Sequence, residues 1–454
     1  MNGPTHVLAS FLSGLTYADL PPEAVEKAKF VFLDTLGAAI AGSQAEEGSI
    51  AARLARKLSG KEESVLIASD MRVDCLYAAL FNGIMAHALE LDDGNRYAMG
   101  HPGVAVIPAV LALGETEKKP GKAIIAAIVA GYEAFGRIAA AGNPSHYHRG
   151  FHTTGTCGTF GAAAACGNLF GFDTSQMVQN LGIAGSQSAG LFAFMSNGAM
   201  TKVLHPGKAA QSGILSALLI REGFTGPDTV LEHKQGFYAG YADRFRPERI
   251  TEGLGEKFEI MNTYTKYHAA CRHIHPSADA ALVIRKEYRI EPEEIESIRV
   301  RTYEVAAKLT GGKEITTPLS GKMSLPYCIA AAFAEGEVGL GQFSPQKLAD
   351  SGILSLMERV EVISDSGFDK LIPDHRCARV EVVTKSGRTC AHEVLDAMGE
   401  PENPGTMEDQ LRKFKGCTSG VFEPNRMDRL IDSIRHLEDV EDLTDIAELL
   451  RKGM

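Results

Sequence analysis

The chain has 454 residues, of which 44% are hydrophobic and 23% are charged, so it is not a disordered, collagenous or disulfide-stapled chain. Its formal net charge of −11 argues against nucleic acid as the main partner, because phosphate binding needs a basic surface. A small anionic substrate is not excluded, since a binding site needs only a local cluster of cations.

The sequence shows no signal for export or membrane insertion. The opening residues, MNGPTHVLASFLSGL, lack a basic segment and a long apolar run, which predicts no signal peptide. No stretch approaches ~18 uninterrupted apolar residues, so we expect no membrane partner. The eight cysteines are scattered without a CxxC pair, a pattern typical of free thiols in a reducing compartment. We therefore expect a cytoplasmic protein.

Helical spacing of apolar residues dominates the first ~265 residues. A predicted helix begins at Pro21–Pro22 and ends at Gly42–Ser43, and another begins near Asp74. Runs rich in Gly and Ala have too little bulk for surface helices and predict helices packed closely inside a large core. These runs lie at residues 155–171, 182–190 and 207–217.

The pattern changes after about residue 290, where short stretches alternate apolar and polar residues. IESIRVRTY and RVEVIS predict strands, and ARVEVVTKSGRTCAHEV predicts a hairpin that turns at Ser386–Gly387. A helix is predicted from Pro326, and the tail from Asn425 is again helical and amphipathic.

These segments predict a mainly α fold with a large all-helical domain and a smaller α+β domain that holds a mostly antiparallel sheet. We place the helical domain at residues 1–266, with residues 400–454 returning to it. The smaller domain covers residues 267–399.

The densest polar cluster is HALELDDGNRYAMGHPG, at residues 87–103. On a continuous helix, His87, Glu90 and Asp93 would share one face, which is how a protein orients a general base. The HPG tripeptide then precedes an apolar helix that is predicted to begin near Val104. The other polar members of this cluster are Asp92, Arg96 and His101.

Four more groups of cationic or titratable residues precede apolar, Ala-rich segments. One of them, HPG at residues 205–207, is interpreted as the start of a helix. Together the groups suggest a shared pocket for a ligand that carries carboxylates. Their members are His146, His148, Arg149 and His152; Lys202, His205 and Lys208; Lys266, His268, Arg272, His273 and His275; and Lys322, Ser324 and Tyr327.

Cofactor motifs are missing from the sequence. It contains no GxxxxGK[ST] loop, no GxGxxG between a strand and a helix, and no GxSxG elbow. The pair Asp92–Asp93 offers weak support for Mg²⁺ without a second acidic motif. We expect no cofactor and no metal.

Taken together, the segments resemble the MmgE/PrpD family. HALELDDGN, GHPGVAVIPA, GFHTTGTCGTFGAAAA, TKVLHPGKAA, YHAACRHIHPSADA and KMSLPYCIAAAF occur in the family's order over nearly the whole chain. The family includes 2-methylcitrate dehydratase, cis-aconitate decarboxylase and iminodisuccinate epimerase. The resemblance implies a homodimer, with a large helical domain and a smaller α+β lid in each subunit.

The resemblance also implies the residues of the pocket. Matched by motif, the pocket residues of decarboxylase-like members fall on Glu90, His101, His152, Lys202, His275 and Tyr327, with Asp93 as the shared acid of the DD pair. We expect His101 and His152 to transfer protons, and Asp93 or Glu90 to orient one imidazole. Tyr327 is expected to donate a hydrogen bond or a proton. The residues expected to bind substrate carboxylates are Lys202, His275, Arg272, Lys266, Lys322 and Arg96.

The expected activity is that of a metal-free lyase, which transfers a proton at a carbon next to a carboxylate of a small di- or tricarboxylate. Dehydration and decarboxylation both fit, and the alternative is an epimerase or isomerase of an amino- or imino-dicarboxylate. A metal-dependent hydrolase, with Asp92, Asp93, His148 and His152 as ligands, is a third hypothesis. A non-catalytic anion-binding protein is the fourth.

Overall fold

The computed structural model describes residues 3–58 and 60–453. The chain divides into two units, the first formed by Met1–Thr263 and Met407–Met454 and the second by Tyr264–Thr406. The fold is mainly α, which confirms the predicted fold class.

The first unit is a bundle of helices with a few two-residue strands. Its helices before residue 264 are α1 (Pro4–Gly14), α2 (Pro22–Gly42), α3 (Glu46–Leu58), α4 (Cys75–His87), α5 (Gly103–Thr116), α6 (Gly121–Gly142), α7 (Ser145–His148), α8 (Thr153–Phe170), α9 (Thr174–Gln187), α10 (Thr201–Arg221), α11 (Phe237–Tyr241) and α12 (Glu248–Thr251). The short strands are β1 (Ser64–Val65), β2 (Arg72–Val73) and β3 (Gly94–Asn95), and β4 (Thr263–Tyr264) contains the boundary between the two units.

Local signals define several of these helix ends. Asp74 caps α4, because its carboxylate accepts the Leu76 amide at 3.0 Å. Gly171 ends α8 in the left-handed conformation, with φ at +68°. The predicted helices at residues 21–43 and from Asp74 are therefore confirmed, as is the helix from the 155–171 run.

The Gly- and Ala-rich helices form the centre of this unit. A Cβ on Gly161 of α8 would lie 2.9 Å from the carbonyl oxygen of Gly131 on α6, so only glycine lets these two backbones approach so closely. Helix α8 also packs against α10, where a Cβ on Gly213 would overlap Ala162. The prediction of small-residue helices packed inside a large core is confirmed.

Helix α6 is long and apolar enough to cross a membrane by length and composition alone, with a mean hydropathy of 1.5. In the structure, 94% of the 18-residue apolar stretch of this helix is buried. The apolarity of α6 is therefore explained by its position in the core of the first unit.

The second unit combines helices with a four-stranded sheet. Its elements are α13 (His275–Tyr288), β5 (Ile295–Thr302), α14 (Glu304–Thr310), α15 (Pro318–Lys322), α16 (Leu325–Glu335), α17 (Pro345–Leu348), α18 (Ser351–Glu358), β6 (Val360–Ser364), α19 (Ser366–Asp369), β7 (Ala378–Thr384) and β8 (Thr389–Val394). The strand order is β6-β5-β7-β8. Strand β5 runs parallel to β6 and antiparallel to β7, and β7 pairs with β8 in the predicted hairpin around Gly387.

The last segment returns to the first unit as α20 (Met407–Thr418), α21 (Pro424–Arg435) and α22 (Thr444–Leu450). Helix α20 packs on α2, where Phe414 covers Gly37 and Lys413 forms a buried ion pair with Asp34 at 2.6 Å. Helix α21 buries Leu430 and Ile434, which confirms the predicted amphipathic tail.

Two predictions about helices in the polar clusters are wrong. Helix α4 ends at His87, so Glu90 and Asp93 do not continue its face. Helix α10 begins at Thr201, four residues before His205, so the HPG tripeptide lies inside this helix. After α4 the chain turns so that Asp92 contacts His87, whereas α10 extends one turn further towards its N-terminus than predicted, with Pro206 inside the helix.

Buried His146 makes part of the stability of the first unit pH-dependent. Its Nε2 contacts the Thr156 hydroxyl at 2.7 Å, and burial lowers its pKa to about 4. The unfolded chain then binds the extra proton below about pH 6.5, so acid favours unfolding. Between pH 7 and pH 5 we expect this residue alone to cost about 2 kcal/mol of unfolding free energy.

Urea unfolding of the wild type and His146→Gln at both pH values measures this loss. The variant is expected to lose about 2 kcal/mol less than the wild type between pH 7 and pH 5. His148→Gln is the matched control, because His148 is exposed on the same short helix. Equal losses in the wild type and His146→Gln would contradict the prediction.

Candidate active site

The loop between α4 and α5 gathers two imidazoles around one carboxylate. The Asp92 Oδ2 atom lies 2.9 Å from Nδ1 of His87 and 3.0 Å from Nδ1 of His101. Asp92 is fully buried, which strengthens both interactions. A single carboxylate oxygen therefore faces two ring nitrogens.

Contacts of His101 determine which of its nitrogens carries the proton. Its Nδ1 also lies 2.5 Å from the carbonyl oxygen of Asp93. Because a carbonyl and a carboxylate only accept hydrogen bonds, Nδ1 must be the protonated nitrogen. The neutral ring then has its lone pair on Nε2, and the side chain is 16% exposed. His101 is thus arranged as a general base at Nε2.

His87 occupies the last position of α4 and is fully buried. Burial lowers its pKa to about 4, and the nearby Lys202 and His101 lower it further against the attraction of Asp92. It is therefore a neutral donor to Asp92 at ordinary pH. Its Nε2 is buried without a hydrogen-bond partner among the described residues.

The carboxylate of Asp93 holds neighbouring parts of the first unit together. Its Oδ2 accepts the Tyr132 hydroxyl at 2.6 Å and its Oδ1 accepts the Gly103 amide at 3.0 Å. Burial raises the pKa of Asp93 to about 6, although these two hydrogen bonds oppose the rise. Asp93, which was predicted with Glu90 to orient one imidazole, contacts His101 Nδ1 through its backbone carbonyl, whereas the carboxylate that faces both imidazoles belongs to Asp92.

The start of α5 has no room for a side chain at Gly103. A Cβ there would lie within 2.8 Å of Asp93 Oδ1, Tyr132 Oη and the Thr35 hydroxyl. We expect Gly103→Ala to lower the unfolding free energy by about 1–3 kcal/mol, because the neighbours of a rigid site must move. Gly416→Ala is the control, since its Cβ meets nothing within 4 Å on the exposed side of α20.

Thermal or urea unfolding of both alanine variants tests this packing. Gly416→Ala is expected to gain up to about 1 kcal/mol, because alanine is the better helix former. A Gly103→Ala protein as stable as the wild type would show that the site tolerates the added methyl group.

His152 and His205 form a second imidazole pair, with their Nδ1 atoms 2.9 Å apart. One of these nitrogens must donate and the other accept, so the pair cannot carry two positive charges. Burial lowers the pKa of His152 well below its usual value and that of His205 to about 4. The His152 ring lies 5.9 Å from the His87 ring and nearly parallel to it, which joins this pair to the Asp92 group.

The predicted substrate cation Lys202 is paired with Glu90. Lys202 lies in the first turn of α10, and both side chains are largely buried. Glu90 has φ at +57°, a left-handed conformation that is uncommon for glutamate and is often found at functional sites. Glu90 therefore holds Lys202 beside the histidines. Arg96, from the same loop, is also buried, 6.0 Å from the ring of Tyr97.

In the second unit, Arg272 and His275 belong to one buried network. Arg272 donates from Nε to Oε1 of Glu400 at 2.9 Å, its Nη2 lies 2.7 Å from the same oxygen as an ion pair, and its Nη1 donates to Nδ1 of His275 at 2.9 Å. The His275 Nε2 then carries the proton and donates to the Ala270 carbonyl at 3.2 Å. Both nitrogens of His275 are thus used inside this unit, and its role in holding a substrate carboxylate stays a prediction.

Three other predicted residues are buried in the same unit. Tyr327 donates its hydroxyl to the Gln342 carbonyl at 2.6 Å, and burial raises its pKa; its role as a donor of a hydrogen bond or a proton to substrate stays a prediction. Lys322 lies 5.9 Å from the ring of Phe343, and Lys266 is 1% exposed. The binding of substrate carboxylates by Lys266 and Lys322 stays a prediction.

The ligand set of the hydrolase hypothesis is not assembled. Asp92 contacts His87 and His101, Asp93 contacts Tyr132, and His148 is exposed. Within residues 3–58 and 60–453, the cluster of three possible ligand atoms is a different one, formed by Glu63, Asp74 and Cys75. There Asp74 already caps α4, and burial raises the pKa of Cys75 to about 12.

Sequence reasoning missed the roles of Asp92, His87 and His205. All three stand in the polar clusters, but helical spacing placed Asp93 rather than Asp92 beside His87. The HPG tripeptide, read as a helix start, hid the fact that His205 is one turn after Lys202 on the same helix. The i, i+3 spacing of Lys202 and His205 was the available signal.

Two family models match the chain. The MmgE/PrpD N-terminal domain matches residues 6–250, and the MmgE/PrpD C-terminal domain matches residues 268–439. This chain belongs to the MmgE/PrpD family.

Curated relatives are similar to the chain over most of its length. The cis-aconitate decarboxylase-like protein oryM of Aspergillus oryzae is 28% identical, over 98% of this chain and 97% of its own. Human cis-aconitate decarboxylase is 26% identical, over 98% of this chain and 94% of its own. The mitochondrial 2-methylcitrate dehydratase of Yarrowia lipolytica is 22% identical, over 80% of this chain and 74% of its own.

Proposed function

We propose that this protein is a lyase that acts on a small di- or tricarboxylate by proton transfer at a carbon next to a carboxylate, and that its reaction is decarboxylation of cis-aconitate or a close analogue. The observation that carries the proposal is the pair of Asp92 and His101, which presents a neutral Nε2 base beside the imidazole pair of His152 and His205.

Decarboxylation needs a proton donor and dehydration needs a base as well, and this arrangement offers imidazole N–H donors together with the Nε2 atom of His101 as a base. Loss of CO₂ leaves an electron pair on carbon that must take up a proton, and an imidazole N–H of the histidine group can deliver it. In the neutral pair formed by His152 and His205, one ring donates its Nδ1–H to the other, so the ring whose Nδ1 accepts carries its single N–H proton on Nε2. Lys202 supplies a nearby positive charge for the developing anion.

Dehydration is the second candidate, favoured by the similarity to the 2-methylcitrate dehydratase of Yarrowia lipolytica. In that reaction His101 would remove the proton next to the carboxylate, and an imidazole N–H would protonate the departing hydroxyl. Decarboxylation ranks first because the decarboxylases are similar over 98% or more of this chain, whereas the dehydratase covers 80%.

We also propose a cytoplasmic homodimer that needs no metal or cofactor. The eight cysteines are free, and all but Cys271 are buried, which supports a reducing compartment. Light scattering of the purified protein tests the dimer. EDTA treatment followed by metal analysis tests the metal, and we expect full retention of activity.

Proton NMR in D₂O tests the reaction with cis-aconitate, citrate, 2-methylcitrate, malate, tartrate and iminodisuccinate. We expect cis-aconitate to lose CO₂ and give new vinyl signals, and His101→Gln to abolish them. New vinyl signals from a hydroxy acid would instead establish the dehydratase. Deuterium entering an otherwise unchanged compound would establish the epimerase. No spectral change with any of the six compounds would overturn the proposed substrate class.

A further inference from the structure

Asp92 Oδ2 faces two imidazole nitrogens, but only one of these rings is reachable from solvent. His87 is fully buried, whereas the side chain of His101 is 16% exposed. The ring centroids lie 5.1 Å apart. The Asp92 oxygen whose charge would stabilise a protonated His101 therefore also accepts a hydrogen bond from His87.

The groups that face His87 leave it neutral. Three other imidazoles and an ammonium group lie near it, and Asp92 is the group among these that favours its protonation. The facing titratable and charged groups are Asp92 and His101 from the loop, His152 before α8, and Lys202 and His205 from α10. His87 thus acts as a constant N–H donor while His101 changes its proton.

We infer that His87 is a positioning residue that lowers the proton affinity of His101 by donating a hydrogen bond to the Asp92 oxygen that His101 also faces. A donor on a carboxylate withdraws part of its charge, so the attraction between Asp92 and a protonated His101 is weaker while His87 is bonded. The consequence is a larger fraction of the neutral, basic form of His101 near neutral pH.

The buried Nε2 of His87 supports a functional rather than a purely structural role. It has no hydrogen-bond partner among the described residues, and an unsatisfied buried polar atom costs about 1–3 kcal/mol. An apolar side chain would fill this position without that cost. The imidazole is therefore explained by its Nδ1 hydrogen bond to Asp92.

Two substitutions separate the hydrogen bond from the shape of the ring. His87→Asn places an amide N–H near the position of Nδ1 and retains the donor to Asp92, whereas His87→Leu removes it. His87→Gln replaces the leucine variant if that protein does not fold, because its amide reaches the position of Nε2 instead. Circular dichroism and thermal unfolding check that each variant is folded.

The readout is the pH dependence of diethyl pyrocarbonate labelling at His101 in the full-length protein, measured by peptide mass spectrometry. The reagent attacks the neutral ring, so the labelling midpoint reports the pKa of His101 without any substrate. We expect His87→Leu to raise this midpoint by about one pH unit, a tenfold change in proton affinity. His87→Asn is expected to keep the wild-type midpoint.

A double-variant cycle shows whether Asp92 transmits the effect. Asp92→Asn is expected to lower the midpoint, and His87→Leu added to Asp92→Asn is expected to cause no further rise. Equal shifts in His87→Leu and His87→Asn would overturn the inference, as would a shift that persists without Asp92.

The inference depends on the proposed function only for the use of His101 as a base, and the two can fail separately. A raised labelling midpoint in His87→Leu, with no turnover of any substrate, would support the role of His87 and overturn the proposed reaction. Turnover of cis-aconitate with an unchanged labelling midpoint would support the proposed reaction and overturn the role of His87. In an active enzyme, the acidic limb of kcat/KM must follow the labelling midpoint.

Discussion

His101→Gln is expected to lower kcat for the decarboxylation by about 10²–10⁴-fold, the range in which a positioned acid or base contributes to a reaction. Glutamine keeps an amide near the ring position but cannot exchange a proton near neutral pH. KM is expected to change less, because we propose that cations, and not this ring, bind the substrate carboxylates. Steady-state kinetics of the purified variant with cis-aconitate measure both parameters.

His436→Gln is the matched control, because its side chain is 62% exposed on the surface of the first unit, at the end of α21. It should keep the wild-type kcat and KM. A His101→Gln enzyme with more than about a tenth of the wild-type kcat would exclude His101 as the proton-transfer residue.

Asp92→Asn is expected to lower kcat by about 10²-fold, with the protein still folded. The amide keeps the shape of the carboxylate and an oxygen for the His87 donor, but it removes the charge that stabilises a protonated His101. Because that charge is lost, the acidic limb of the kcat/KM profile is expected to move to lower pH. A pH series of kcat/KM from pH 5 to pH 8 measures the shift.

The neighbouring substitution Asp93→Asn is the control for this prediction. Asp93 holds Tyr132 and the Gly103 amide, so its loss is expected to lower the unfolding free energy by about 1–3 kcal/mol. The acidic limb should stay near its wild-type position. If the two asparagine variants show the same kinetic profile, the distinction between the two aspartates is wrong.

Much of the fold could be predicted because its signals are local. Proline at the start of α2, the Asp74 cap of α4 and the glycine after α8 act within one or two turns of the helix. The alternation in β5 and β7, and the turn at Gly387, define strands and a hairpin in the same way. The parallel pairing of β5 with β6 has no such signal, because it joins segments about sixty residues apart.

The site was predicted as a set of clusters and not as a set of contacts. The sequence singled out the region around Asp92 and Asp93, but helical spacing assigned the imidazole contact to the wrong acid. The choice between adjacent aspartates depends on where the loop after α4 turns, which Tyr132 and Gly103 help to determine. Those partners come from other helices, so spacing along the chain contains no information about them.

By itself, the sequence determined that this is a mainly α protein of the MmgE/PrpD type with titratable clusters before apolar helices, because periodicity and motif order are properties of the chain. Only the tertiary structure decided that one oxygen of Asp92 serves both His87 and His101, and that His152 pairs with His205. Proton affinity depends on distance, burial and donor geometry in three dimensions, and none of these follows from the order of residues.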